Sequence, residues 1–150
     1  MDLFLNSFIC MIATIGFCVL FNEKKKNIPP AAVNAGLSWF TFALLDKLNV
    51  NTIFALFIAS IVMSIYAEIM ARRLKTPAAP FLVCGMIPLV PGGGMYYTMY
   101  ESVLGNTSKS MMMGFNTMAQ AFSIALGIFM VYSIFRLIAR FKMIKINFKK

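Results

Sequence analysis

Long apolar runs alternate with short polar clusters along the whole chain. The runs occupy residues 3–21, 31–45, 52–70, 78–100 and 111–135. At ~1.5 Å per helical residue, a run such as 52–70 is long enough to cross a hydrocarbon core about 30 Å thick. The pattern predicts an all-α integral membrane protein with about five transmembrane helices, which form a single domain over residues 1–150.

Composition favours the same class of protein. Hydrophobic residues make up 60% of the chain and charged residues 13%, whereas a soluble domain has roughly 45–50% apolar and about 25% charged residues. A water-soluble core of this size could not bury so much apolar surface. We therefore predict that a lipid bilayer covers much of the molecule.

The positive charges follow the pattern of topology signals. The net charge is +9, but the cations cluster at the ends of apolar runs and form no basic face that could follow phosphates, which argues against a nucleic-acid partner. If five spans alternate, twelve of the fourteen Lys and Arg residues share one side, which the positive-inside rule assigns to the cytoplasm. This predicts a multi-pass protein of the plasma membrane, with its amino terminus outside and its carboxyl terminus in the cytoplasm.

Residues suited to enzyme chemistry are scarce. The chain has no His, and its three cysteines lie inside apolar runs without a C-x-x-C pair, so we interpret them as small buried hydrophobic residues. There is no phosphate-binding loop and no Ser/Lys or paired-Asp arrangement at buried depth. We predict no catalytic residues, no metal site, no cofactor, and hence no enzyme.

The fourth apolar run is interrupted by prolines and glycines, so it cannot form one regular helix. Pro88 lies ~15 Å into the span, near the bilayer midplane. Unwound backbone at this depth must be buried in protein or line a wet cavity, and the N–H groups that open the second half-helix could bind a carboxylate. The candidate substrate-binding residues are Pro88, Pro91, Gly92, Gly93, Gly94, Tyr96 and Tyr97. The alternative is a kinked or re-entrant helix whose glycines only allow close packing.

Polar residues at helical spacing form two stripes, which face protein or water rather than lipid. Asn34 and Ser38 belong to the second span, and Asn116 and Gln120 to the fifth. They are candidates for a solute pathway, although helix packing is the interpretation that such stripes favour. Glu68 is a candidate for ion coupling, with an ion pair to Arg72 at the membrane boundary as the simpler interpretation.

The stretch from Pro88 to Tyr97, Pro-Leu-Val-Pro-Gly-Gly-Gly-Met-Tyr-Tyr, resembles the signature of the threonine/serine exporter family. The residues from Asn22 to Ala32, followed by Gly36 and Trp39, resemble the smaller half of the same family. In that family a larger half, with a cytosolic domain and its own helices, joins a smaller half of about this length. The resemblance implies that this chain is the small subunit of a half-transporter pair, with a larger subunit as its partner.

The sequence leaves alternatives open for the identity of the solute and for the class of function. The resemblance implies export of threonine or serine, but some two-chain relatives are associated with succinate, so a dicarboxylate is also open. Because the cations are so unevenly distributed, we expect a different partner chain rather than an antiparallel homodimer. A noncatalytic scaffold or regulatory subunit, in which the glycines are only a packing device, is the alternative function.

Overall fold

The computed structural model describes the backbone of residues 2–147 and the side chains of residues 3–140. Six α-helices occupy this part of the chain: α1 Asp2–Leu20, α2 Ile28–Lys47, α3 Thr52–Leu74, α4 Ala79–Met86, α5 Gly92–Val103 and α6 Thr107–Asn147. Four of them are long and apolar enough to cross a membrane, and the bent pair of α4 and α5 makes up to five. The predicted all-α membrane fold with an interrupted fourth helix is confirmed. Lys149 and Lys150, which entered the charge count, lie outside the described residues.

The helix ends follow from local sequence. Helix α2 begins before residue 31, because Pro29 and Pro30 lie in its first turn, where a missing N–H costs little. The side chain of Asn51 caps α3 by accepting a hydrogen bond from the backbone N–H of Ile53 at 2.9 Å. Asn49, which follows α2, adopts a left-handed φ of 56° that Asn tolerates better than most residues.

Small residues form the contacts between the central helices. Helix α2 packs against α1, α3 and α4, and α3 also packs against α4 and α6. Fully or nearly fully buried alanines line these contacts: Ala31, Ala32 and Ala35 on α2, and Ala55, Ala59 and Ala67 on α3. Side chains this small let helix axes approach closely, which is how helices associate when lipid removes the hydrophobic driving force.

Two cysteines contact each other at the junction of α1 and α4. The Sγ atoms of Cys18 and Cys84 are 3.1 Å apart, and both residues are buried as free cysteines. They pack among Ala31, Ala67 and Phe81. Cys10 is only partly buried, so the interpretation of all three as buried hydrophobic residues holds fully for two of them.

Helix α6 is much longer than one bilayer crossing. It contains 41 residues, which corresponds to ~60 Å. Its later part packs on α3, where the Ser123 hydroxyl donates to the carbonyl of Ile53 near the start of α3. Its earlier part, beginning ~24 Å before Ser123 along the helix axis, packs on α5 instead. Residues 92–118 therefore form a hairpin that leaves the bundle of α1–α4, and we call it the α5–α6 hairpin.

Candidate functional site

The break between α4 and α5 is the main irregularity of the described backbone. A single 3₁₀ turn, Ile87–Leu89, follows α4, and Val90 is extended with φ −60° and ψ 128°. Pro88 has no N–H with which to continue the helix, and Pro91 stands just before α5. The two helices meet at an angle of 54°. The sequence therefore produces two half-helices separated by a short unwound segment.

Polar side chains of α2 hold the end of α4. Asn34 Nδ2 donates to the carbonyl of Phe81 at 3.0 Å. Ser38 Oγ lies 3.0 Å from the carbonyl of Gly85 and 2.8 Å from that of Ala35, so its one proton is shared between α4 and its own helix. Both side chains are completely buried. In this state of the molecule, the two pathway candidates on α2 make packing contacts that support the broken helix. Their role in transport stays a prediction.

Gly85 is needed for this contact. A Cβ atom at position 85 would lie 2.5 Å from Asn34 Nδ2 and 3.1 Å from Cγ of Met63. The glycine thus lets α4 approach α2 and α3 closely enough for the Asn34 and Ser38 hydrogen bonds to form. Within the described residues, Asn34 Oδ1 is buried without a hydrogen-bond partner. Such a group costs free energy unless water or a solute binds it.

A small cavity lies directly beside the break. Its volume is about 170 Å³. It is lined by the unwound segment and its neighbours on α2, α3 and α6: Trp39, Phe42, Thr52, Leu56, Pro88, Leu89, Val90, Pro91, Gly92, Gly93 and Gln120. The structure thus brings together four of the predicted binding residues with one predicted pathway residue. Since Phe42 lies in the second half of α2 and Leu56 in the first turns of α3, the break is on the side of the bundle that holds the α2–α3 turn.

A second, more polar cavity adjoins the first. Its volume is about 420 Å³, and it shares Thr52 and Gln120 with the cavity at the break. The remaining lining residues come from the turn between α2 and α3 and from α6: Asp46, Asn49, Val50, Asn51, Ile53 and Asn116. We call it the polar vestibule. Both pathway candidates on α6, Asn116 and Gln120, line the polar vestibule, and Gln120 also lines the cavity at the break. Their role in a solute pathway stays a prediction.

The three glycines of the motif have different surroundings. A Cβ atom added to Gly92 or Gly93 would meet no atom within 4 Å. At Gly94 it would lie 2.4 Å from Oγ1 of Thr117 on α6. Gly94 is thus a packing glycine, whereas Gly92 and Gly93 leave their backbone open beside the cavity. The amides of Gly93 and Gly94, in the first turn of α5, have no acceptor four residues earlier in that helix.

The predicted tyrosines lie on the exposed part of α5. Tyr96 and Tyr97 are 64% and 55% exposed, and neither is among the residues that line the cavity at the break. The ring of Tyr96 stacks on that of Tyr100, with 6.2 Å between centroids, and meets Tyr97 edge-on at 5.3 Å. Their role in solute binding stays a prediction.

Glu68 lies near the opposite end of the bundle. Its Oε2 is 3.6 Å from Nε of Arg72, which also lies over the ring of Phe135, 4.8 Å from the centroid. The structure therefore contains the ion pair that the i, i+4 spacing suggested. Glu68 is ~18 Å along α3 from Leu56, so it is far from the cavity at the break. A coupling role for Glu68 stays a prediction.

Sequence reasoning missed several residues of the two cavities. Asp46 lines the polar vestibule and Trp39 the cavity at the break, but neither was among the predicted site residues. The sequence signal for the polar vestibule was the polar cluster Asn49–Asn51 next to Asp46, which is typical of a turn. In the structure this turn lies close to Asn116 and Gln120 of α6. Thr52 and Leu56 gave no signal, because their position depends on the packing of α3 against α4 and α6.

Three comparisons with known proteins bear on identity. The family described as "Threonine/Serine exporter, ThrE" matches residues 6–134. An uncharacterised protein of Haemophilus influenzae (strain ATCC 51907 / DSM 11121 / KW20 / Rd) is 30% identical over 92 residues, which are 61% of this chain and 31% of that protein. The similarity therefore spans less than a third of that relative's length. No solved structure matches the chain.

Proposed function

This chain belongs to the threonine/serine exporter family, and from that premise we propose that it is the smaller subunit of an exporter for a small carboxylate-bearing metabolite. It is a multi-pass membrane protein of a transporter family rather than an enzyme family. The proposal adds the solute class, threonine or serine or a dicarboxylate such as succinate, and the larger partner subunit. The orientation, with the amino terminus outside, rests on the distribution of Lys and Arg.

One observation supports the proposal: the cavity at the helix break and the polar vestibule lie side by side and share Thr52 and Gln120 in their linings. The break supplies first-turn amides at Gly93 and Gly94, and the positive end of the α5 dipole lies there, which favours a carboxylate. Gln120 lies where the two cavities meet and can bind the polar remainder of a small solute. Discontinuous helices in secondary transporters bind solutes in this way.

Transport follows from movement at the same break. The short unwound segment from Val90 to Pro91 is the natural hinge between α4 and α5, since it lacks continuous helical hydrogen bonds. A change in the angle between the half-helices would open the cavity to one side of the membrane and close it to the other. The carboxylate would remain at the amino end of α5 during this change.

The direct test is efflux of preloaded labelled threonine, serine and succinate. Cells express this chain with the larger chain of the family, and each chain is also expressed alone. We expect export of one of these solutes only when both chains are present. No export of any of them from an assembled pair would contradict the proposal and favour the scaffold function.

Two variants locate the solute within the chain. Gly93→Val should abolish export, because its side chain would occupy the open side of the cavity. Gly16→Val is the matched control, since a Cβ at position 16 also meets nothing within 4 Å but lies on α1, away from the cavity. Gln120→Leu tests the same cavity from α6 and carries the comparison if Gly93→Val lowers the amount of assembled pair. Normal export by both Gly93→Val and Gln120→Leu would place the solute elsewhere.

A further inference from the structure

The unwound segment is open on the side that faces away from this chain. Val90 is 41% exposed, and Gly92 and Gly93 are exposed as well. The segment lies beside Phe42 and Leu56, which belong to membrane-crossing helices. Because each unsatisfied backbone group in hydrocarbon costs several kcal/mol, lipid alone is a poor cover for this side. Water or another protein must cover it.

The exposed side continues along one face of α5. Gly94, Thr98 and Glu101 face α6, where Gly94 meets Thr117, Thr98 meets Gly114, and Glu101 is buried beside Lys109. At 3.6 residues per turn, the opposite side of α5 carries Gly92, Tyr96, Met99 and Val103. We call these four residues the outer face of α5. Its three side chains are 64%, 69% and 85% exposed.

The chemistry of the outer face is that of a protein interface. Tyr and Met are enriched at interface cores, and Gly92 allows another backbone to approach closely. The charged residues of the α5–α6 hairpin are Glu101 and Lys109, which pair with each other through a salt bridge. The outer face of α5 therefore carries no charge that would repel an apolar helix.

We propose that the outer face of α5 is the docking surface for the larger subunit, and that a helix of that subunit lies across the open side of the cavity at the break. This inference rests on the proposed function, because it takes the partner from it. The Haemophilus influenzae relative supports a larger partner. The segment similar to this chain is only 31% of that relative, so there it is joined to further protein. The solute would then be enclosed between the two subunits.

Photocrosslinking in membranes tests the docking surface. The photoreactive residue p-benzoylphenylalanine replaces Met99, in the outer face of α5, or Phe8, which is 58% exposed on α1 and serves as the matched control. Cells co-express the larger chain of the family, and adducts are identified by mass. We expect an adduct between position 99 and the larger chain, and none at position 8. An adduct of position 99 with a second copy of this chain, or with no protein at all, would overturn the inference.

A second measurement uses assembly as its readout. Met99→Trp enlarges an exposed side chain, so it should leave the fold intact but reduce co-purification of the larger chain about tenfold, which equals 1.4 kcal/mol. Phe8→Trp should leave co-purification unchanged. Equal co-purification by both variants would contradict the docking surface.

Efflux in the same cells separates this inference from the proposed function. If export requires both chains but position 99 does not crosslink to the larger chain, the docking surface is wrong and the exporter stands. If position 99 crosslinks to the larger chain but none of the tested solutes is exported, the docking surface stands and the proposed solute class is wrong.

Discussion

The contact of Gly94 with Thr117 gives a quantitative prediction about the glycine motif. In Gly94→Ala, the new Cβ would lie 2.4 Å from Oγ1, 3.2 Å from Cγ2 and 3.3 Å from Cβ of Thr117. The Thr117 hydroxyl donates to the carbonyl of Met113 at 2.8 Å, so its side chain is held in place by its own helix. We therefore expect α5 and α6 to be forced apart.

The expected cost follows from general values for overpacking. Extra methyl groups in a packed contact cost about 1–3 kcal/mol. Replacing Gly by Ala in a helix gains up to about 1 kcal/mol, which offsets part of this cost, so we expect Gly94→Ala to destabilise the protein by ~1–2 kcal/mol. Gly93→Ala is the matched control: it has the same helical gain, and no atom lies within 4 Å of the new Cβ. It should be neutral or slightly stabilising.

A second substitution tests whether the clash is the cause. Thr117→Ala removes Oγ1 and Cγ2 and leaves only the Cβ contact at 3.3 Å. In the double variant, the cost of Gly94→Ala should largely disappear, giving a coupling energy of about 1–2 kcal/mol in a double-mutant cycle. Thermal unfolding of the detergent-solubilised protein, followed by fluorescence-detected size-exclusion chromatography, measures each variant. Equal stability of Gly94→Ala and Gly93→Ala, or no rescue by Thr117→Ala, would refute the reasoning.

Three further predictions address other parts of the chain. Asn34→Ala and Ser38→Ala each remove a hydrogen bond to a buried carbonyl of α4, so each should lower the stability by about 0.5–2 kcal/mol in the same thermal assay. Unchanged stability would show that these bonds do not support α4. Glu68→Gln should leave the pH dependence of efflux unchanged, because the carboxylate pairs with Arg72, far from the cavity at the break. A flattened pH profile would support a coupling role for Glu68. N-Ethylmaleimide should label Cys10 before Cys18 and Cys84 in the folded, detergent-solubilised protein, as judged by mass spectrometry. Labelling of Cys18 or Cys84 ahead of Cys10 would contradict the packing of α1 on α4.

Much of the fold could be predicted because lipid exposure imposes long apolar runs. The break was also predictable, since Pro88 and Pro91 act on their own helix. The length of α6 was not: the apolar run 111–135 predicts the part that lipid can cover, whereas the helix extends to Asn147 through a basic segment. Apolar patterning shows where a helix meets lipid, and it does not show where a helix ends in water.

The candidate site was predictable only where chemistry follows from local sequence. The motif indicated Gly92, Gly93 and Gly94 as a unit, but the distinction between them depends on Thr117, which comes from another helix. In the same way, the hydroxyls of Tyr96 and Tyr97 were expected near the solute, yet the direction of α5 after the bend puts both residues on exposed surface. Features that depend on contacts between distant segments require the folded structure.

The uninterrupted course of α6 has a mechanical consequence. The helix contacts α5 along its first part and α3 along its later part, so it would connect α5, the half-helix that moves in the proposed mechanism, to the central bundle as one rigid rod. Over a length of ~60 Å, a tilt of about 5° would displace one end by about 5 Å relative to the other. A modest change of angle at the break could thus be transmitted to the opposite side of the membrane, close to Arg72 and Phe135, without any change in the secondary structure of α6.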